Sequence, residues 1–221
     1  MDDATPISLI PLRESHNDPK DAGSFDQWLE SVQRSTKADL TLDVPCGQCN
    51  GCCRSGYFIR VHRSETSALA AIPEQLLFPA PGENDIFVMG YDHKGRCPML
   101  KANQCSIYDS RPLTCRTYDC RIFSGSGIDA GANRPAVNES VKRWRFTYDD
   151  QHDARKHQAL MTAANFVMAH KEELDVFSDE PLHVALLALR CLPFFLQDPL
   201  PDTRTQLTRV KSALTDSAQA S

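Results

Sequence analysis

Between Cys46 and Cys53 the chain reads C-G-Q-C-N-G-C-C, and four thiols within eight residues constrain it more than any other stretch. Gly47 and Gly51 free the backbone to fold back, so that the sulfurs converge as they do in metal-holding loops. A second group follows at Cys97, Cys105, Cys115 and Cys120, so eight of the nine cysteines fall in two runs. A chain that uses cysteine only for packing scatters it singly. The ninth, Cys191, lies alone in an apolar segment and is expected in the core.

A C-x2-C pair offers two thiolates on one turn, suited to a tetrahedral ion or to two corners of a cluster. Cys46, Cys49 and Cys52 repeat that spacing as C-x2-C-x2-C, the run found on bacterial ferredoxin-type clusters, where a distant Cys-Pro completes the set. Cys97-Pro98 has that form, so these four are one set for a [4Fe-4S] cluster. Zinc would instead take pairs from the two groups. Consecutive side chains diverge in extended backbone, so Cys53 is expected to face a different partner from Cys52.

Four thiolates on Zn2+ or on a [4Fe-4S]2+ core leave a charge of about -2, which is costly to bury uncompensated. From the first loop to Arg121 the cations are mostly arginine: Arg54, Arg60, Arg63, Arg96, Arg111, Arg116 and Arg121. Arg111 and Arg116 flank Cys115 and are the candidates for donors to cofactor sulfur. The histidines lack paired ligand spacing, His93 in its turn being the best exception. A thioredoxin-like activity would need a βαβ setting that the pattern does not offer.

The formal net charge of -5 argues against a nucleic-acid binder that neutralises phosphates. The N-terminal residues M-D-D-A carry acid where an export signal carries base. The longest apolar stretch, 182–196, includes Arg190 and Pro193 and falls short of the roughly 20 residues of a membrane span. These features predict a soluble cytoplasmic protein without nucleic-acid or membrane partners, whose thiols stay reduced for a metal ion or cluster and which has room for a protein partner.

The pattern predicts an α+β chain: a small loop-rich cysteine-cluster core with a short β-hairpin, packed against amphipathic helices that include a C-terminal pair. Residues 1–23 read as a flexible arm, 24–123 as the metal-binding domain, 124–135 as a Gly-rich loop, 136–214 as a helical region on the same domain, and 215–221 as a tail. Helices are expected over 24–39, 65–72, 149–174, 180–197 and 201–214, with the fourth kinked or ended near Pro193. Residues 40–44 should run extended, 57–62 and 86–91 as strands, and the turn at 92–95 should close a hairpin into Cys97.

With these residues in view, the chain resembles the YkgJ-like cysteine-cluster family, the zinc- or iron-chelating CxxCxxCC domain. The resemblance rests on P-C-G-Q-C-N-G-C-C and on C-P-M-L-K-A-N-Q-C-S-I-Y-D-S-R-P-L-T-C-R-T-Y-D-C, within about 45–122. It implies metal chelation in a structural or carrying role. Some relatives with this signature are flagellin lysine N-methylases, longer proteins, which implies as the alternative an iron-sulfur redox or modifying enzyme.

Overall fold

The structure, a computed structural model, describes residues 18–37, 44, 46–47 and 49–218. Most of the expected arm and the extended segment 40–43 lie outside the described residues. Strand β1, Lys20–Ser24, pairs in parallel with β7, Trp144–Thr147, with a shift in register between Asp21 and Gly23. The last residues of the expected arm are therefore a strand. K-D-A-G-S has little strand propensity, and its partner far along the chain supplies the pairing.

Helix α1 follows at Phe25–Lys37. Phe25, Trp28, Leu29 and Val32 are spaced to form one helical stripe, and all four are buried. Asp119 ties this region to the second cysteine group: its carboxylate accepts from Trp28 Nε1 at 2.9 Å and pairs with Arg121 at 2.8 Å. Arg121 also donates to the carbonyl of Ala22 in β1 at 3.1 Å.

Strands β2 (Ile59–His62), β3 (Leu77–Pro79) and β4 (Ile86–Met89) form an antiparallel sheet in the order β2-β4-β3. Helix α2, Thr66–Ala71, supplies Ala68 to a small core with Val61, Ile72, Met89 and Met99. The turn at 92–95 forms as expected, with Asp92 Oδ1 accepting from the Lys94 and Arg96 amides. No strand follows to pair with β4, because β2 and β3 already occupy its two edges. The hairpin lies one step later, between β5 (Leu100–Lys101) and β6 (Gln104–Cys105). Its two-residue loop, Ala102 and Asn103, has φ of 47° and 65°, as a type I′ turn demands.

Helices α3 (Leu113–Thr117) and α4 (Arg121–Ser126) carry the chain from the second cysteine group into the main core. Residues 124–126, expected in the Gly-rich loop, complete α4. A Cβ on Gly125 would stand 2.6 Å from the Trp28 indole, so this glycine serves close packing rather than flexibility. After α5 (Pro135–Val141) and β7 come α6 (Gln151–Ala169), α7 (Pro181–Cys191) and α8 (Thr203–Ala218). Asp150 caps α6 by accepting from the His152 and Asp153 amides, and α6 ends five residues before the expected Leu174. Helix α7 passes into a 3-10 turn at Leu192–Phe194, at the expected proline.

The paired C-terminal helices enclose the larger core, which holds Phe25, Phe123, Leu160, Val167, Ala185 and Cys191. Cys191 is wholly buried there, as expected. Cys52, Tyr57, Tyr118 and Cys120 pack against this core, whereas Cys97, Ile59 and Ile107 pack against the small one. The cysteines thus occupy the seam between two hydrophobic clusters. Among the described residues no helix is long and apolar enough to cross a membrane.

Candidate metal centre

Short elements that cannot pack alone present the thiols, and backbone hydrogen bonds hold them in place. The Cys49 amide donates to the Cys46 carbonyl at 2.8 Å, which turns the first loop back on itself. Cys52 and Cys53 open a 3-10 helix, Cys52–Arg54. Cys105 lies in β6, Cys115 in α3, and Cys120 immediately before α4.

Among the described residues, backbone and side-chain hydrogen bonds join the first cysteine group to the second. The Cys97 amide donates to the Cys53 carbonyl at 2.8 Å, and the Val44 amide to the Arg116 carbonyl at 3.0 Å. Asn50 Nδ2 reaches the Asn103 carbonyl at 2.9 Å, the Gly47 amide reaches Tyr108 Oη at 3.3 Å, and Arg111 reaches the Val44 carbonyl at 3.3 Å. Residues far apart in sequence are therefore fixed side by side.

Seven thiols, those of Cys46, Cys49, Cys52, Cys53, Cys97, Cys105 and Cys115, line one cavity of about 100 Å³. The eighth, Cys120, lines an adjoining cavity of about 20 Å³ together with Cys46, Cys49 and Cys52. All eight are half-buried and unpaired as disulfides. Among the described residues, no group of three Cys, His, Asp or Glu side chains stands in the geometry of a metal site. The two groups of sulfurs share cavity walls.

Burial pushes the Cys46 thiol up to about 12, its neighbours Cys52 and Cys49 adding to the rise and Arg111 opposing it. Burial also pushes Cys120 up to about 12, against a hydrogen bond from Trp144 that lowers it. Burial raises Cys97 and Cys115 as well. Cys52 rises first through a side-chain hydrogen bond with Cys53, then through burial. The backbone at Cys52 and Cys53 is a 3-10 turn rather than an extended strand, so the alternation behind the expectation of different partners does not operate there. A cation is what makes buried thiolates favourable.

Arg111 is 9% exposed and lines the larger cavity. Its guanidinium lies 4.1 Å from the Tyr108 ring centroid and donates to the Tyr108 carbonyl at 2.9 Å. Arg116 lines neither cavity, and its Nε is buried without a hydrogen-bond partner. Four other arginines face carboxylates: Arg60 pairs with Glu83, Arg63 with Asp85, Arg96 with Asp92 and Arg121 with Asp119. His93 is exposed and lines neither cavity.

Sequence reasoning missed the donors to sulfur that lie beyond Arg121. Trp144 Nε1 donates to Cys120 Sγ at 3.2 Å, and Ser140 Oγ stands 3.2 Å from Cys49 Sγ. Both belong to the segment of α5 and β7, which packs on the first cysteine loop. The one usable signal was Trp144 itself, since a buried indole N–H requires an acceptor. Tyr57 and Tyr118 also line the larger cavity, with their hydroxyls 2.6 Å apart.

The donor set is sulfur throughout, which suits zinc and iron and disfavours calcium or magnesium. Residues 45–154 match the family model CxxCxxCC, described as a putative zinc- or iron-chelating domain. The match runs past the cysteines through α5 and β7, and so includes Ser140 and Trp144. No curated protein and no solved structure matches the chain.

Proposed function

We infer, from a chain whose residues 45–154 form a domain of the CxxCxxCC cysteine-cluster family, that it binds zinc or an iron-sulfur cluster through its clustered thiols, in a structural or metal-carrying role. The observation that carries this reading is the convergence of two cysteine groups, hydrogen-bonded to each other, around shared cavities. The ligands are Cys46, Cys49, Cys52, Cys53, Cys97, Cys105, Cys115 and Cys120, and Arg111 and Arg116 offset their charge. A bound metal would take the place of the thiol protons, with these eight cysteines holding it, and would couple binding to ordering of the seam between the two cores. The cytoplasm, which keeps thiols reduced, is where such a centre loads.

Anaerobic purification with elemental analysis and an absorption spectrum tests this. Iron with a broad band at about 400 nm identifies a cluster, and zinc without colour identifies a zinc site. Full-length protein that takes up neither metal under reducing conditions overturns the reading. One observation favours a second role, that of an iron-sulfur redox or modifying enzyme. The larger cavity extends beyond the thiols along Phe58, Met89, Met99 and Ile107, an apolar wall beside which a substrate would fit.

A further inference from the structure

We propose that the eight thiols form two separate four-sulfur centres: Cys46, Cys49, Cys52 and Cys120 hold one ion or cluster, and Cys53, Cys97, Cys105 and Cys115 hold another. This rests on the metal-binding reading and deepens it by dividing the ligands.

The division follows from which walls the sulfurs share. The smaller cavity is bordered by four cysteines and no others: the three of the C-x2-C-x2-C run and Cys120. Three of those, Cys46, Cys49 and Cys52, also line the larger cavity, and setting them aside leaves four there: Cys53 from the first group and Cys97, Cys105 and Cys115 from the second. Each thiol is used once and each centre receives the complement of a tetrahedral ion. Cys120, rather than Cys97, thus takes the fourth place beside the triple run.

The surroundings differ between the two centres. Trp144 and Ser140, each 8% exposed, place their polar atoms 3.2 Å from sulfurs of the first centre, at Cys120 and Cys49. Their elements enclose it between the cysteine loop and the main core. The second centre has Arg111 in its wall, adjoins the small core and continues toward exposed Phe58. Cys52 and Cys53, consecutive residues of one 3-10 turn, stand at the partition. The first centre joins α5 and β7 to the cysteine loop, and the second lies on the side of the small core.

Cobalt(II) is the probe, added anaerobically to reduced full-length protein, with bound cobalt per chain counted by elemental analysis and thiolate-cobalt absorption recorded. The expected result is two ions in the unaltered chain, one in Cys120→Ser and one in Cys115→Ser. Trp144→Phe, which keeps an aromatic ring and removes the donor, should retain both ions while about 10- to 100-fold of affinity is lost at one site only. One ion in the unaltered chain, loss of both ions in each cysteine variant, or equal weakening of both sites by Trp144→Phe would overturn the two-centre division while leaving metal binding intact. Failure of the unaltered chain to take up cobalt, zinc or iron would overturn metal binding itself.

Discussion

Gly51 lies so close to Ala136 that a Cβ on it would stand 2.7 Å from the Ala136 carbonyl oxygen, and it would also stand 2.9 Å from Ser140 Oγ. The glycine lets α5 rest directly on the cysteine loop, which is how Ser140 reaches Cys49. Gly51→Ala forces the two backbones apart and should destabilise the protein by about 1–3 kcal/mol, the usual cost of overpacking. Metal content should fall with it. Denaturant unfolding and elemental analysis of the two proteins measure both effects, and an alanine variant of unchanged stability would mean that the contact is loose.

Cys49 and Cys115 come from different cysteine groups, whereas Cys191 is enclosed by hydrocarbon. Cys49→Ser and Cys115→Ser should each lower bound metal and stability. Cys191→Ser should keep its metal and lose only about 1–3 kcal/mol, from a hydroxyl buried without a partner. Equal metal loading in all three variants would remove Cys49 and Cys115 from the ligand set.

The thiols give opposite pH responses with and without metal. Burial holds Cys46 and Cys120 at about 12, against an ordinary value of 9.0. In metal-free protein the unfolded chain therefore releases those protons first. The stability contributed by the neutral buried thiols is complete below pH 9 and declines as pH rises from 9 toward 12. Metal-bound sulfur is already deprotonated, so the loaded protein weakens instead as acid returns the protons. Unfolding midpoints between pH 5 and 11, with and without metal, check the crossing of the two trends, and parallel curves would contradict it.

Arg111 faces the sulfurs and opposes the rise of both Cys46 and Cys115. Arg111→Lys retains the charge but loses the planar fork that lies over Tyr108 and reaches Val44. It should weaken metal binding by roughly 10-fold or more, read by chelator competition. Arg116→Ala should weaken binding less, because Arg116 lines neither cavity. The reverse order would assign the sulfur-facing role to Arg116.

Local patterns revealed what local physics decides. The stripe of Trp28, Leu29 and Val32, the presence of α6, the break at Pro193 and the clustering of eight thiols depend on spacings within a few turns, and each was readable. Features created by distant pairing were not. Strand β1 exists because β7 lies beside it, Gly125 packs because Trp28 is there, and the turn after β4 leads to no strand because both edges of β4 are taken. The local backbone at Cys52 and Cys53 was not legible because alternation assumes an extended strand, and the chain makes a 3-10 turn there. Ser140 and Trp144 were invisible for the same reason as β1: their acceptors, Cys49 and Cys120, belong to other elements.

The parallel pairing of β1 with β7 means that the segment recognised by kinship and the segment able to stand alone are different lengths. A fragment trimmed to 45–154 would strip the neighbour from one side of Trp144–Thr147, bare the edge of that strand and uncover the faces that Phe25 and Trp28 shield. Such a fragment would be prone to stick to its own copies, and any loss of metal it showed would report a missing flank rather than a faulty ligand.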